Sequence, residues 1–270
     1  NYMLSRKLWR PFYKTISQIS RYNIKEKKTL SFPANNVYEF TRLNEVLSMM
    51  SEKIRNDYLS LKEFTEDASH EIQTPLAVIK SKLEMLIQSE HITPSELELI
   101  AAMNRAITRI SKLNSGLLLI AKIENNQFSE TTEASFIELL EQSLDVFTDF
   151  IQQRNLRVTF EKSSDFQVMM NPALADILVS NLINNSIKHN LPNGYIEIRT
   201  TSDYFSIVNS GNPLVSKNPA ELFQRFNKEN KQSESPGLGL AIIGKICDAS
   251  QLIINYQNIA DQHIIKISKK

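Results

Sequence analysis

The sequence FTEDASHEIQTP, at residues 64–75, carries the side chains of this chain best suited to chemistry. His70 has Glu71 beside it, and Thr74 follows four residues later, on the same face of a helix. Imidazole has an ordinary pKa of about 6.5, so most of it is neutral and nucleophilic at neutral pH. Pro75 has no N–H, so the carbonyl of Glu71 loses its helical partner and a bend is expected there. This arrangement suits a histidine that accepts a transferred group.

Two other interpretations of His70 stay open on this stretch alone. A single histidine on a helix is commonly structural or solvated. The pair His70-Glu71 also begins the HExxH motif of zinc proteases, but that motif needs a second histidine where Thr74 stands.

The composition excludes several classes of protein. The 270 residues include 31 basic and 30 acidic side chains, a balance that does not indicate a nucleic-acid-binding protein. A single cysteine, Cys247, excludes a framework of internal disulfides. Six glycines and nine prolines are few for an all-β sandwich and favour long helices. The length allows two domains with cores, or one domain with helical extensions.

The first residues, NYMLSRKLWRPFYK, mix aromatic and basic side chains as is common where a helix leaves a membrane on the cytoplasmic side. No run of about 18 apolar residues occurs, so no transmembrane helix is expected within the chain. We therefore expect a fragment that starts just after a membrane span. An ordinary basic amphipathic helix explains the same residues equally well.

The chain begins with two predicted helices. Apolar residues at three- and four-residue steps predict a helix over residues 4–20 and another from Val37, joined by a polar connector over residues 21–36. This unit resembles a HAMP signal-relay domain, whose sparse markers are matched by Pro11 and Glu39. A generic helical hairpin remains an alternative.

The second helical pattern continues without a breaker through His70 to about residue 90. Thr93 and Glu96 then form a predicted capping box for a third helix, which reaches about residue 120. Two helices bury only one seam each, whereas a four-helix bundle of two chains buries both seams. A homodimer is therefore expected.

After residue 126 the pattern becomes that of an α/β domain. One long polar loop, residues 210–236, interrupts it, and such a loop in a compact domain is usually a lid or a binding loop. The predicted helices cover residues 136–152, 172–189 and 237–250, and the predicted strands cover residues 156–160, 166–170, 195–201, 204–208, 252–256 and 264–267.

Polar residues and glycines of this domain suit a nucleotide site. Asn181, Asn185 and Lys188 recur at four- and three-residue steps along one predicted helix. Amide oxygens suit Mg²⁺ and a lysine suits phosphate, although a solvated helix face explains the same spacing. The GLGL sequence at residues 237–240 begins a helix, where glycines and free N–H groups let phosphate approach the backbone. The NSG sequence at residues 209–211 follows a strand and suits contact with the edge of a ligand.

Five motifs follow one another along the chain: SHEIQTP, NLINNSIKH, NSG, LFQRF and GLGL. In this order they resemble those of the sensor histidine kinase family, over nearly the whole chain from Phe64 on. The resemblance implies a multidomain α plus α/β protein, with helical hairpins in a dimeric four-helix bundle followed by an α/β sandwich of the Bergerat fold. The implied domains are a HAMP-like membrane-proximal relay at residues 1–55, a dimerisation and histidine phosphotransfer hairpin at residues 56–126, and an ATP-binding catalytic domain at residues 127–270.

The resemblance also implies a role for each motif. His70 would accept the γ-phosphoryl group of ATP, Glu71 would act as its base, and Thr74 would help to place water when the same protein dephosphorylates its partner. Asn185 is the expected Mg²⁺ ligand. The residues expected to bind the nucleotide are Asn181, Asn185, Lys188, His189, Asn209, Gly211, Phe223, Phe226, Lys228, Gly237, Leu238, Gly239 and Leu240.

The resemblance further implies ATP and Mg²⁺ as cofactors, a homodimer, and the receiver domain of a response regulator as the partner that takes the phosphoryl group. It also implies the cytoplasmic portion of a bacterial inner-membrane protein, attached through a span upstream of residue 1, with no nucleic-acid partner. Two alternatives stay open: a catalytically weak relay or scaffold, and a non-kinase ATPase of the same fold.

The chain departs from the family's pattern near the expected base-binding site. Asn209 stands where the family has an aspartate that contacts the amino group of adenine, Pro213 replaces a glycine of that motif, and Pro236 precedes the last glycine motif. An amide has one accepting and one donating end. If the amide turns freely, we expect weak rejection of guanine, and for Asn209→Asp we expect tighter ATP binding and a stronger preference over GTP, by about tenfold or less.

Overall fold

The computed structural model describes residues 2–20, 22, 32, 37–88, 92–213, 219–226 and 237–270. The chain divides into two compact units, Asn1–Asp67 and Ala68–Lys270. Most of the predicted connector at residues 21–36, and His91 in the predicted turn, lie outside the described residues. Within the described ranges, every helix is too short or too polar to span a bilayer.

The secondary structure is helical at first and mixed afterwards. The helices are α1 (Tyr2–Ser20), α2 (Tyr38–Ile87), α3 (Pro94–Glu124), α4 (Phe136–Val146), α5 (Thr148–Gln153), α6 (Pro172–Lys188) and α7 (Gly239–Ala249), with a 3-10 turn at Pro219–Phe223. The strands are β1 (Thr132–Ser135), β2 (Arg157–Lys162), β3 (Gln167–Met170), β4 (Tyr195–Thr200), β5 (Tyr204–Ser210), β6 (Leu252–Ile259) and β7 (Gln262–Lys269). The α plus α/β class predicted from the sequence is thus confirmed.

In the first unit, α1 contacts the beginning of α2 through aromatic rings and one buried polar pair. The ring of Phe12 lies 5.4 Å from that of Trp9 and 6.0 Å from that of Phe40, between centroids. The buried hydroxyl of Thr15 donates to Oδ1 of Asn44 at 2.9 Å. The two predicted helices are therefore present, and their assignment to a HAMP-like relay stays a prediction.

The phosphotransfer hairpin predicted from the sequence consists of the second half of α2 and all of α3. α2 continues through Pro75 without ending, so the bend expected there does not terminate the helix. The Thr93 side chain accepts from the backbone N–H of Glu96, while the Glu96 carboxylate accepts from the N–H of Thr93 at 2.8 Å. The capping box is thus confirmed, and its hydrogen bonds lower the pKa of Glu96.

The hairpin buries only a narrow seam within one chain. Leu83 of α2 packs with Ile100 and Ile107 of α3, and Leu76 and Ile92 border this cluster. Further apolar side chains of both helices stay exposed, namely Ile72, Ile79, Leu86, Leu97, Met103 and Ile110. A second copy of the chain would cover such a surface, so the homodimer stays a prediction with this observation in its favour.

The α/β domain after residue 126 contains a five-stranded sheet covered by helices. The strand order is β2-β4-β5-β7-β6, and β1 pairs with β3 in a separate two-stranded sheet. β2 and β4 are parallel, and the other neighbours in the large sheet are antiparallel. In β4, Ile196 and Ile198 are buried in the core while Glu197 and Arg199 are exposed, the alternation expected of a sheet with one covered face.

The core of this domain lies between the sheet and the helices α4, α6 and α7. Phe136, Phe166 and Phe205 pack with ring centroids 4.8 to 5.5 Å apart and are fully buried. α6 adds Leu178 and Leu182, each of which contributes about 1.5–3 kcal/mol by its burial. This packing fixes the face of α6 that remains available for a ligand.

The structure corrects the predicted boundaries of several elements. The helix predicted over residues 136–152 is divided at Phe147 into α4 and α5. The strand β1 was not predicted, because TEAS lacks an apolar alternation and becomes a strand only by pairing with β3. β5 extends to Ser210, and the two last strands are longer than predicted because their polar ends pair with each other.

Candidate functional site

The predicted polar stripe lies along one face of α6. Asn181, Asn185 and Lys188 are all half-buried, whereas Leu178 and Leu182 on the opposite face are fully buried. α6 begins at Pro172 because the Asn171 side chain caps it by accepting from the N–H of Leu174. The cap and the apolar face together orient the asparagines away from the core.

Asn181 and the last glycine motif are brought together across this site. The Asn181 Nδ2 donates to the carbonyl of Ile177 at 2.8 Å, which leaves Oδ1 as the end that faces α7. A Cβ placed on Gly239 would lie 3.4 Å from that oxygen. The absence of a side chain at Gly239 therefore keeps open the space between the amide oxygen and the first turn of α7, where N–H groups are free to bind an anion.

One backbone hydrogen bond joins Phe226 to Gly237. The N–H of Phe226 donates to the carbonyl of Gly237 at 3.0 Å. Gly237 has a φ of 75°, which glycine adopts readily, whereas Phe226 has a φ of 64°, which costs an aromatic residue on the order of 1–3 kcal/mol. The predicted site residue Lys228, and Pro236, lie outside the described residues between these two ends.

The two phenylalanines of the LFQRF motif have different surroundings. Phe223 is half-buried against α7, where a Cβ on Gly244 would lie 3.5 Å from its ring. Phe226 is 54% exposed and stands at the edge of the loop. Phe223 therefore anchors this segment, and Phe226 is the one whose ring is available to a ligand.

The NSG motif forms the end of β5, directly beside β7. The N–H of Gly211 donates to the carbonyl of Asp261 at 2.8 Å. A Cβ on Gly211 would lie 2.1 Å from Cδ2 of His263 and 2.8 Å from the carbonyl oxygen of His189. Because both neighbours are too close for any side chain, only glycine fits at this position.

His263 is a residue of the site that the sequence reasoning missed. It is buried on β7, where it pairs with Asn209 of β5, and its Nδ1 lies 2.5 Å from the hydroxyl of Tyr256. No motif marks a single histidine in a strand, so only the sheet register could have indicated it.

A second unpredicted cluster joins the end of α6 to the end of β5. The hydroxyl of Ser210 lies 2.5 Å from Oδ1 of Asn190 and 3.1 Å from the N–H of Tyr195. The Asn190 Nδ2 donates to the carbonyls of Ser186 and Tyr195. These bonds set the position of the NSG motif relative to the asparagine face of α6.

His189 caps the C-terminal end of α6 next to the polar face. Although part of its surface is exposed, crowding of its ring by protein atoms lowers its pKa to about 4, and the positive charges of Lys188, His263 and Arg154 lower it further. The imidazole is therefore neutral at neutral pH and can accept or donate one hydrogen bond near the site.

The end of α3 contacts the beginning of α7 and Arg225 of the LFQRF motif. A Cβ on Gly116 would lie 2.8 Å from Cδ1 of Leu238. Glu124 accepts from Arg225 at 2.7 and 2.8 Å and lies 2.9 Å from the ammonium group of Lys245. The hydrogen bond from Lys245 is the main cause that lowers the pKa of Glu124.

Leu238 and Leu240, the two residues of the GLGL motif that have side chains, differ in their burial. Leu238, predicted to bind the nucleotide, is buried against α3, so only its backbone is available to a ligand, whereas Leu240 is half-buried.

The predicted acceptor region lies on α2, where Glu71 and Thr74 are exposed. The side chain of His70 lies outside the described part of the structure, so its proposed role depends on its position in the helix.

The donor set of the pocket fits a nucleotide with a magnesium ion. Within the described ranges, no group of three or more His, Cys, Asp and Glu side chains is placed to hold a metal ion. Asn185 offers an amide oxygen instead, which suits a hard cation that completes its shell with phosphate and water. Gly239 leaves the backbone at the beginning of α7 uncovered, as the close approach of a phosphate chain requires.

Two family models match the chain at the regions just described. The His Kinase A (phospho-acceptor) domain matches residues 60–126, and the histidine kinase-, DNA gyrase B- and HSP90-like ATPase matches residues 170–262. The first match contains His70, and the second contains the asparagine, NSG and glycine motifs.

Sensor kinases from bacteria are similar to most of this chain. Sensor protein QseC of Salmonella typhi is 25% identical over 262 residues, which cover 96% of this chain and 58% of that protein. Heme sensor protein HssS of Staphylococcus aureus is 27% identical over 215 residues, which cover 78% of this chain and 45% of that protein. The chain thus spans about half the length of the curated relatives it matches.

A solved structure shares the fold. The crystal structure of full-length ShkA in complex with AMPPNP matches with a TM-score of 0.61 at 16% identity, over 77% of this chain and 46% of that chain. The order of the five motifs, the two matched domains and the homologous sensors agree with one another. This chain belongs to the histidine kinase family and joins a phospho-acceptor hairpin to an ATPase domain of the histidine kinase, DNA gyrase B and HSP90 type.

Proposed function

We propose that this protein is a sensor histidine kinase that transfers the γ-phosphoryl group of ATP to His70 and from there to an aspartate on a response regulator. The observation that carries the proposal is the closeness of the Asn181 amide oxygen to Gly239 at the beginning of α7, in a chain whose phospho-acceptor domain contains His70. The relative of known structure was solved with AMPPNP, a nucleotide that agrees with ATP as the ligand.

The residues of the pocket would each take one part of the nucleotide. Asn181 and Asn185 would face the phosphates, Lys188 would add positive charge there, and the N–H groups that begin α7 would bind phosphate oxygens. A bound Mg²⁺ would neutralise charge on the phosphates, with Asn185 as its protein ligand.

The proposed transfer consists of two successive displacements at the same phosphorus atom. A nitrogen of His70 attacks the γ-phosphorus, the N–P bond forms, and the bond from that phosphorus to the oxygen that bridges to the β-phosphate breaks, which releases ADP. Glu71 takes the imidazole proton. In the second step a carboxylate oxygen of the regulator attacks the same phosphorus, the N–P bond breaks, and the released imidazole takes back its proton from Glu71.

The exposed surfaces support the partners implied by the family. Exposed apolar residues of α2 and α3, among them Ile79 and Met103, support a homodimer formed through the hairpin. Exposed Trp9 and Tyr13, with Arg10 and Lys14 beside them, support a position of α1 near the cytoplasmic surface of a membrane.

Incubation with γ-labelled ATP and Mg²⁺ tests the proposal. A histidine kinase retains label on the protein, and that label is acid-labile and base-stable. Free phosphate without labelled protein would instead indicate an ATPase of the same fold. Neither product would indicate a relay or scaffold.

A variant at Thr74 tests the second activity of the hairpin. Thr74→Ala is expected to slow dephosphorylation of the regulator by about tenfold and to change autophosphorylation by less than about twofold, because the hydroxyl orients water and does not contact ATP. Rates of both reactions with purified regulator measure the effect. Ser81→Ala, on an exposed position of the same helix, is the matched control. A larger loss of autophosphorylation than of dephosphorylation would contradict this role.

A further inference from the structure

Glu124, the last residue of α3, joins three parts of the structure through one carboxylate. Its two oxygens accept from Arg225 of the LFQRF motif at 2.7 and 2.8 Å, and one of them lies 2.9 Å from the ammonium group of Lys245 on α7. A carboxylate at the C-terminal end of a helix is disfavoured by the helix dipole, and the two cations offset that cost. The cluster therefore ties the LFQRF segment and α7 to the end of α3.

A second, apolar contact joins α7 to α3 near the beginning of α7. Leu238 is 3% exposed and packs on Gly116, where a Cβ would lie 2.8 Å from Cδ1 of Leu238 and 3.7 Å from Cδ1 of Ile242. From Gly116 to Glu124 the helix α3 advances by about 12 Å, and from Leu238 to Lys245 the chain advances by about 10 Å. Because these spacings are nearly equal, α7 lies along α3 in the same direction and is held at two points.

The apolar contact lies at the height of His70 along the hairpin. Leu83 of α2 packs with Ile100 and Ile107, which are two turns apart on α3, so Leu83 lies level with their midpoint. His70 lies 13 residues before Leu83, and Gly116 lies 12 to 13 residues after that midpoint. Each helix rises by about 1.5 Å per residue, so His70 and Gly116 are level to within about one turn. The first turn of α7 is therefore docked at the height of the proposed phospho-acceptor.

We propose that Glu124 is a positioning residue for phosphoryl transfer, which holds α7 on α3 so that the nucleotide bound at the beginning of α7 stays at the height of His70. This role rests on the proposed function. Transfer requires the attacking nitrogen and the phosphorus to approach to about 3–3.5 Å. A domain held at the right height needs a smaller movement to reach this distance than a domain that is detached from the hairpin.

The size of the expected effect follows from the exposure of the cluster. The side chains of Glu124, Arg225 and Lys245 are 39 to 44% exposed, so either ion pair alone would contribute little. One carboxylate serves both cations, however, and its neutralisation removes both pairs at once. We therefore expect a moderate change in rate that is larger than the change caused by the loss of a single surface pair.

Glu124→Gln is expected to lower the rate of autophosphorylation at saturating ATP by about three- to tenfold. The ATP concentration that gives half the maximal rate, and the affinity for ADP, are expected to stay within about twofold of the wild type, because Glu124 acts through the position of α7. Initial rates of labelling with γ-labelled ATP and calorimetry with ADP measure these effects. Glu98→Gln, at an exposed position of the same helix, is the matched control and is expected to behave as the wild type.

A reversal of charge separates the ion pairs from the shape of the helix end. Glu124→Lys would bring three cations together and is expected to lower the rate further than Glu124→Gln. Addition of Lys245→Glu to this variant restores opposite charges between α3 and α7, and is expected to raise the rate again by at least threefold. A rate that does not recover in the double variant would overturn the role of the charges.

Gly116→Leu tests the docking point at the height of His70. Leucine favours a helix more than glycine does, but its side chain would occupy the space of Leu238 and displace α7 from α3. The rate of labelling is expected to fall by about tenfold or more, with ADP affinity within about twofold of the wild type. Ser115→Leu adds similar bulk at the exposed neighbouring position and is expected to keep the wild-type rate.

The outcomes distinguish this role from the proposed function. Wild-type or faster labelling in Glu124→Gln and Gly116→Leu would overturn the positioning role and leave the kinase assignment intact. A parallel loss of ADP affinity in both variants would also overturn it, because the contacts would then support the nucleotide site itself. Absence of label on the wild-type protein would overturn the proposed function, and the positioning role with it.

Discussion

His70→Gln is expected to remove all detectable label transferred from γ-labelled ATP, while ADP binding stays within about twofold of the wild type. Glutamine keeps a polar side chain of moderate size on α2, but it has no nucleophilic nitrogen. The proposed nucleotide site consists of residues of α6, β5 and α7, so its affinity is not expected to depend on this side chain. Label retained on the gel-purified protein and calorimetry with ADP measure the two effects.

The matched control for this variant is His91→Gln, which makes the same change in the turn that the sequence predicts between the hairpin helices. It is expected to keep wild-type labelling. Label that persists in His70→Gln would assign the acceptor to another residue. A parallel loss of ADP binding would indicate that the substitution disturbs the fold.

Asn185→Ala is expected to weaken binding of ATP with Mg²⁺ by about 10- to 100-fold, and to change metal-free ATP binding by less than about threefold. The side chain lies half-buried on the polar face of α6, where the proposed role is that of a metal ligand. Titrations with and without Mg²⁺ separate the metal contribution from the nucleotide contribution.

Asn184→Ala provides the matched control, since Asn184 is the exposed neighbour on the same helix. It is expected to bind ATP as the wild type does under both conditions. An equal loss of affinity with and without Mg²⁺ in Asn185→Ala would contradict the metal role, because a distorted α6 would affect both measurements alike.

Local sequence patterns predicted the parts of the site that a single element carries. The spacing of Asn181 and Asn185 follows the helical repeat, and the apolar residues between them fix the face they share. The capping box at Thr93 is equally local, because donor and acceptor lie three residues apart. Such features depend on neighbouring residues and can be predicted without the fold.

Features made by tertiary contacts could not be predicted in the same way. His263 reaches Gly211 only because β7 pairs with β5. Glu124 reaches Arg225 only because α3 packs on α7 of the α/β domain. The orientation of the Asn209 amide likewise depends on the carbonyl of Ser210. A sequence identifies the amide, whereas the direction in which it points follows from the hydrogen bonds of the folded chain.

The most direct test of the central claim is to locate the transferred phosphoryl group on the protein. After brief incubation with ATP and Mg²⁺, trypsin cleavage at Lys62 and Lys80 releases residues 63–80, which mass spectrometry under neutral to alkaline conditions can fragment. Phosphorylation is expected on His70, and acid is expected to remove it. Acid-stable phosphorylation on Ser69 or Thr74, or phosphorylation outside this peptide, would contradict it.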